Sequence, residues 1–233
     1  MSSRTRVSAI YTSYSYIMTI RQFIGLAAVG LMATACQPDS FRLNGIVHGI
    51  NDGDTLFLTR DFRSGTPQDT LVVSNGKFAI HSRTDSTSIC MIYQKDHPET
   101  NAIFFVEPEE ITVELSTEYG KSRVSGSKVN NEFQAMSDNV LSYSTQIKKL
   151  TEQAYQEGLT PEQQVTLIAE TERLYSEMML TIVTTAERNI DNELGFFIVT
   201  NYQDEDHFPL EKRQELIAKM PAAMQLRARE ELK

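Results

Sequence analysis

The sequence predicts an α+β protein in which an N-terminal antiparallel β-sandwich of about eight short strands is followed by an α-helical region. Short apolar runs separated by turn residues fill residues 41–126. Beyond them the apolar residues recur every three or four positions, which is the period of a helix. The composition, 40% hydrophobic and 23% charged, is typical of a folded globular chain. We therefore expect a sandwich domain at 41–126 and a helical region at 127–233.

The strand region is predicted from alternation and from turn residues. Phe41, Leu43 and Val47 alternate with polar residues, which favours a strand with one buried face. Asn75-Gly76 separates two apolar runs, and this pair predicts a hairpin because both residues tolerate a positive φ. The predicted strands cover residues 41–47, 55–58, 71–73, 78–80, 89–93, 103–106, 111–115 and 122–125.

A long amphipathic helix is predicted directly after the strands. Asn130 or Asn131 can cap its first turn, and Gly158 can end it. A seam packed against a neighbouring helix is the favoured interpretation, and a coiled coil with another chain is the alternative. The apolar seam has alternating spacings of three and four and consists of Phe133, Met136, Val140, Tyr143, Ile147, Leu150 and Ala154.

A second long helix should pair antiparallel with the first, because the connection between them is short. Thr160, Pro161 and Gln163 form the pattern of a capping box with proline in the first turn. Leu194–Val199 is apolar on all sides and predicts a short buried segment, and residues 209–220 and 222–232 predict two more short helices. The predicted stripe of the second helix is Val165, Ile168, Tyr175, Met178, Ile182 and Ala186.

The N-terminus has the three parts of a secretory signal. A start at Met18 places Arg21 before the apolar stretch Phe23–Met32, and the small residues Ala33–Ala35 then precede Cys36. This pattern predicts cleavage before Cys36 and a lipid on its thiol. The alternatives are an ordinary signal peptide and a membrane-buried helix, although the apolar stretch is shorter than the roughly 20 residues that a spanning helix needs.

The predicted division at the N-terminus is therefore a signal peptide at 1–35 and a lipidated tether at 36–40. The first 36 residues hold three arginines and no acidic residue, so the remainder carries 19 basic against 31 acidic groups. Such an acidic chain is poorly suited to nucleic acid, because phosphate binding requires clustered lysines and arginines.

The sequence predicts no catalytic residue, no cofactor and no metal site. Neither a CxxC pair nor a GxSxG elbow occurs. Cys90 lies in an alternating strand, where a buried cysteine acting as a small apolar side chain is favoured over a reactive thiol. We therefore expect a protein that is not an enzyme.

Three acidic or histidine-bearing segments are weak candidates for metal ligands. Asp96–Glu99 and Asp204–His207 carry oxygen and imidazole groups, but their spacing fits no defined metal loop. Asn51–Asp54 resembles half of a calcium loop, with Phe62 in the place of the bidentate glutamate. Solvated loops and a plain turn are the favoured interpretations.

The order of features resembles a known family over most of residues 41–220. The matching segments are 41–45, 52–58, 69–78, 105–113 and 124–127, with Asn130 or Asn131 before the helices. They resemble the uncharacterised N-terminal domain that precedes thioredoxin-like or peroxiredoxin-like domains in lipoproteins of Gram-negative bacteria. The resemblance implies a cell-envelope protein, lipid-anchored to the outer membrane on its periplasmic or its surface face.

The sequence departs from that family in one respect. The thioredoxin-like domain and its WCxxC dithiol are not present, since the chain has no tryptophan and no CxxC. The oxidoreductase activity of the resembling proteins is therefore not expected here. A stand-alone module and a shortened gene are both compatible with this departure.

Three hypotheses about function follow. The first is a non-enzymatic envelope lipoprotein that binds a protein partner, for which the resemblance suggests a thioredoxin-like protein. The second is a sandwich that binds a small ligand or a glycan, against which the absence of tryptophan argues. The third is a truncated or split thiol-disulfide oxidoreductase that is complete only with a separately encoded redox domain.

Overall fold

The structure, a computed structural model, describes residues 40–60, 66–83 and 88–232. The segment from Ser40 to Lys233 is one compact unit. Three predictions lie outside the described residues: the signal peptide with its start at Met18, the lipid site Cys36, and Phe62 at the twelfth position of the half calcium loop.

Within the described residues, eight strands form two four-stranded sheets, which confirms the predicted sandwich. The strands are β1 (Ser40–His48), β2 (Thr55–Thr59), β3 (Asp69–Val72), β4 (Lys77–Arg83), β5 (Ser88–Gln94), β6 (His97–Val106), β7 (Glu110–Ser116) and β8 (Arg123–Ser125). The first sheet has the order β4-β1-β7-β8, and the second has the order β3-β2-β5-β6. Because β6 and β8 are each the last strand of a sheet, both have an edge that no strand of the sandwich covers.

One strand pair differs from the antiparallel prediction, because β1 and β7 run parallel. The other side of β1 pairs antiparallel with β4, as predicted. The chain passes from β6 in the second sheet to β7 in the first through a bend at Pro108 and Glu109. Alternation of apolar residues determines which face of a strand is buried, but it does not determine the direction of the neighbouring strand.

The predicted Asn75-Gly76 turn is present, with φ angles of 52° and 66°. Ser74 and Lys77 exchange backbone hydrogen bonds across it at 2.9 and 3.1 Å. The strands on either side nevertheless enter different sheets, because β3 pairs with β2 and β4 pairs with β1. The turn is therefore a corner between the two sheets. Its local signal predicted a simple hairpin because the Asn-Gly pair does not indicate which sheet each flanking strand enters.

A first hydrophobic core fills the space between the two sheets. Both sheets contribute their alternate residues to it, as the sequence pattern predicted. Its largest fully buried members are Leu43, Leu56, Ile92, Phe104, Ile111 and Leu115. Cys90 belongs to the same core and is 1% exposed.

Five helices follow the strands in the described part of the chain. They are α1 (Lys128–Ala154), α2 (Pro161–Arg188), α3 (Glu193–Asn201), α4 (Leu210–Lys219) and α5 (Ala222–Glu231). The helices agree with the predicted segments, including the buried short segment that becomes α3. None of the helices among the described residues is long and apolar enough to cross a membrane.

The ends of the two long helices agree with the prediction only in part. The capping box of α2 is confirmed, since Thr160 and Gln163 bond reciprocally. The cap of α1 is Ser127 and not Asn130 or Asn131, because the Ser127 hydroxyl accepts from the Asn130 backbone N–H. α1 ends at Ala154 with Tyr155 as its C-cap, before the predicted Gly158.

The apolar stripes of the long helices are buried over only part of their length. Phe133 and Met136 near the start of α1 are buried, whereas the rest of its seam is half-buried. Val165 and Ile168 of α2 are 65% and 51% exposed, so the predicted stripe is wrong in its first turns. Among the described residues, Val165 and Ile168 belong to neither of the two hydrophobic cores, so their side chains are not covered there.

A second hydrophobic core joins the helices to the outer face of the β3-β2-β5-β6 sheet. Phe105 of β6 contacts Phe133 and Phe197 edge to face, with ring centroids 5.4 and 6.1 Å apart. Ile89 and Ile103 of the same sheet also pack against this core. The second sheet is therefore the middle layer, with the first sheet on one side and helices on the other.

Candidate functional site

The start of α1 lies across the edge of β6 and is held there by Asn130. The Asn130 side-chain oxygen accepts from the Phe105 backbone N–H at 2.8 Å, and its Nδ2 donates to the Phe105 carbonyl at 2.8 Å. A side-chain amide here makes the two bonds that a neighbouring strand would make. Asn130 is fully buried, so these bonds form away from water.

Two further side-chain amides of α1 hold the end of β8. Gln134 accepts from the Val124 backbone N–H at 2.8 Å, and Asn131 accepts from the Gly126 N–H at 3.2 Å. Gln134 also donates to the Asp138 carboxylate at 2.9 Å. The first turns of α1 therefore bond to the edges of both sheets at once.

A cleft of about 250 Å³ opens next to these contacts, between β6, β8 and the following turns of α1. Its floor is apolar and its rim is polar. The lining residues are Glu99, Asn101, Ala102 and Ile103 of β6, Tyr119, Gly120, Ser122, Arg123 and Val124 of the β7–β8 segment, and Phe133, Gln134, Ser137, Asp138 and Leu141 of α1.

The one arginine among the lining residues is held by its neighbours. Arg123 donates through Nη1 to the carbonyl oxygens of Gly120 and Ser122, each at 2.8 Å. Its Nη2 lies 3.5 Å from the Asp138 carboxylate, which offsets its charge. Glu99 on the opposite rim contacts His97 at 3.2 Å. With Arg123 and Asp138 paired, Glu99 adds a negative charge to the rim.

The edge of β6 presents backbone groups to the cleft. The Phe105 N–H and C=O point away from β5, and in a regular antiparallel strand the residue two positions earlier points the same way. The β5–β6 register is regular from Val106 to Asn101, so the Ile103 N–H and C=O face the cleft. The described residues supply no hydrogen-bond partner for these two groups.

The cleft lies below the usual size range of small-molecule pockets. Pockets for small molecules usually enclose about 300–1,000 Å³ and bury most of the ligand, and this cleft is smaller and open. A second concavity, of about 470 Å³, lies between α4 and α5. Gln225, one of its lining residues, already donates to the Ala218 and Met220 carbonyl oxygens.

Cys90 lies in the sandwich core, where burial disfavours the reactive thiolate form. Burial raises the pKa of its thiol above the ordinary value, an effect that the nearby Arg60 only partly opposes. The thiol is therefore protonated at neutral pH, and the thiolate is the reactive form. Its position agrees with the predicted role as a small apolar side chain.

The structure shows the contacts or positions of the three segments that carry candidate metal ligands. Asp52 accepts from the backbone N–H groups of Asn75 and Gly76, both at 2.8 Å, and so joins two turns. Asp96 and His97 lie at the β5–β6 turn. Among the described residues no group of three or more histidine, cysteine or acidic side chains could hold a metal ion.

Asp204–His207, the third segment, forms a hydrogen-bond network with α2 that the sequence did not reveal. Tyr175 donates to Asp204 at 2.7 Å, and the same carboxylate lies 3.0 Å from His207 Nδ1. His207 Nε2 is 2.9 Å from the Ser176 hydroxyl. The partners are about 30 residues apart in sequence, so no local motif could indicate them.

This network has the order of a serine–histidine–aspartate triad, but its surroundings indicate a structural role. Ser176 lies within α2, and its hydroxyl also bonds the Glu172 carbonyl at 2.9 Å. The backbone amides around a residue in a helix interior donate within the helix, so they are not available to stabilise an oxyanion. The network instead ties the segment after α3 to α2.

The comparisons with known proteins identify the sandwich. None of the curated proteins compared with the chain matches it, and no solved structure does. A family model matches at residues 41–133, which cover the eight strands, Asn130 and the first turns of α1. The uncharacterised N-terminal domain predicted from the sequence is thereby confirmed: residues 41–133 match DUF4369, a domain of unknown function.

Proposed function

We propose that the chain is a lipid-anchored protein of the Gram-negative cell envelope, whose folded unit is a non-enzymatic binding module. The position of Cys36 is the observation that supports the lipid anchor. Small residues and an apolar stretch precede it, and only Gln37, Pro38 and Asp39 separate it from β1. Such a tether reaches roughly 14 Å when fully extended, so a lipid on Cys36 holds the sandwich close to the outer membrane.

The binding role is supported by the cleft beside α1. It combines an apolar floor with outward-facing backbone groups on β6, which are the features that recognise polypeptide. The buried thiol of Cys90 supports a role without redox chemistry of its own. The resemblance to proteins with a thioredoxin-like domain suggests such a protein as the partner, with this chain as an accessory of a thiol-disulfide system.

The anchor is tested by metabolic labelling with an alkyne fatty acid in a Gram-negative host. We expect the unaltered chain to be labelled and to sediment with membranes. Cys36→Ala should lose the label and remain as an uncleaved precursor or leave the membrane fraction. Cys90→Ala is the matched control, since it removes the other cysteine and should leave labelling unchanged. Labelling that persists in Cys36→Ala, or membrane association with unchanged electrophoretic mobility, would contradict the proposal.

A further inference from the structure

We propose that the open edge of β6 beside α1 binds an extended segment of a partner protein that carries a basic side chain. This inference rests on the proposed binding role and names its site and partner class. The segment would add to β6 as a short strand, with hydrogen bonds to the outward-facing N–H and C=O of Ile103.

The geometry of Asn130 supports this mode of binding. Its side chain already pairs with the next outward-facing residue, Phe105, as a strand would. A segment at Ile103 would continue the same row of bonds away from α1. Its side chains would alternate between solvent and the apolar floor formed by Val124 and Phe133, because successive side chains of a strand point to opposite faces.

Charge complementarity favours a basic segment. Arg123 and Asp138 on the rim offset each other's charge, and Arg123 also donates to the Gly120 carbonyl oxygen, so the Glu99 carboxylate leaves the rim with a net negative charge. The described unit also belongs to a chain with a formal net charge of −9. A lysine or arginine of the segment is therefore attracted to the rim, whereas an acidic segment is repelled.

A second copy of this chain is a less suitable occupant. Its own β6 would have to approach this edge, but α1 of each copy covers β6 at Phe105. Among the described residues, the outward-facing backbone of Ile103 is open, and a single such position accommodates a short segment better than a second sandwich. A partner segment that is extended and flanked by flexible chain has no such obstruction.

The test uses the full chain in mild detergent and a fluorescein-labelled peptide of alternating valine and threonine with a lysine at each end. Fluorescence anisotropy should show saturable binding. Hydrogen exchange should slow at the outward-facing amides of His97–Val106 when the peptide is present. The same peptide with N-methylated amides on its β6-facing residues should bind at least about tenfold more weakly, because it cannot donate to the edge.

Two substitutions on α1 locate the site. Ser137→Phe fills the cleft and should weaken binding by about tenfold or more. Ser142→Phe, at an exposed serine of the same helix that does not line the cleft, should leave binding unchanged. Circular dichroism checks that both variants fold. Glu99→Gln, on the rim, should weaken binding without filling the cleft.

Equal binding of the N-methylated peptide, or undiminished binding by Ser137→Phe and Glu99→Gln, would overturn the proposal. Self-association of the chain that Ser137→Phe abolishes would also overturn it and favour a second copy. Acyl labelling is measured on the same preparations. Loss of the edge site with intact labelling contradicts this inference alone, whereas loss of labelling with intact peptide binding contradicts the anchor alone.

Discussion

At the scale of single residues, Asn130 shows how one side chain can complete a sheet. A carboxamide carries both a donor and an acceptor, which are the two groups that an edge residue such as Phe105 needs. Aspartate lacks the donor, and glutamine is longer by one methylene. The side chain also donates to the Ser127 hydroxyl at 2.9 Å, so the helix cap and the sheet edge share one buried network.

Removing this side chain should destabilise the protein strongly. Asn130→Ala leaves the Phe105 N–H and C=O buried without partners, and we expect a loss of about 3 kcal/mol in the free energy of unfolding. Urea denaturation followed by circular dichroism measures it. Asn139→Ala removes an exposed asparagine of the same helix and should change stability by less than about 0.5 kcal/mol. Similar urea midpoints for the two variants would argue against the role of Asn130.

The sequence predicted some residue roles well and others poorly. Cys90 was predicted to be buried because its strand alternates, and it is buried. Asn130 was predicted as a possible cap because asparagine often caps helices, but its bonds depend on a strand 25 residues away. The burial of Arg213, which is 3% exposed, could not be predicted either, since arginine normally stays in solvent. Such roles depend on tertiary neighbours that a local pattern does not contain.

At the scale of elements, the Tyr175–Asp204–His207 network joins the segment between α3 and α4 to α2. The Asp204 carboxylate accepts from the Tyr175 hydroxyl and from the backbone N–H groups of Asp206 and His207. The Tyr175 hydrogen bond, followed by that from the His207 backbone, lowers the pKa of Asp204 from 3.8 to about 2. The negative form of Asp204 therefore favours the folded state.

This shift predicts how stability depends on pH. Because the folded pKa lies below the unfolded one, the contribution of Asp204 is present above pH 3.8 and is lost as the pH falls toward 2. Asp204→Asn should lower the urea midpoint at pH 6, and its difference from the unaltered chain should shrink between pH 4 and pH 2. Asp191→Asn, at an exposed aspartate, serves as the control. A difference that stays constant over this range would contradict the assignment.

The long helices show where a helical period is informative and where it is not. The spacing of Phe133 and Met136 correctly predicted a helix and its buried face. The same spacing continues through Val165 and Ile168 of α2, which are largely exposed. Periodicity indicates which face of a helix is apolar, but the packing of other elements decides how much of that face is covered. Only the parts of α1 and α2 beside α3 and the second sheet receive such cover.

At the scale of the whole molecule, the sandwich and the helices share a structural layer. The β3-β2-β5-β6 sheet contributes one face to the core between the sheets and the other to the core beneath the helices. Phe105 lies at the centre of this junction, since it packs on two helical phenylalanines while its backbone bonds to Asn130. The matched domain likewise extends from the strands into α1 and ends at Phe133.

This shared layer predicts that the two parts unfold together. Phe105→Ala should reduce the free energy of unfolding by about 3–5 kcal/mol, because it opens a cavity between the sheet and the helices. Thermal unfolding should remain a single transition, with the circular-dichroism signal of the helices and the hydrogen-exchange protection of β1 and β7 lost at the same temperature. Phe57→Ala, at a half-buried phenylalanine of β2, should cost clearly less. If the helices melted well before the strands in Phe105→Ala, the sandwich would be an independent folding unit, and the layer beneath the helices would be only a docking surface.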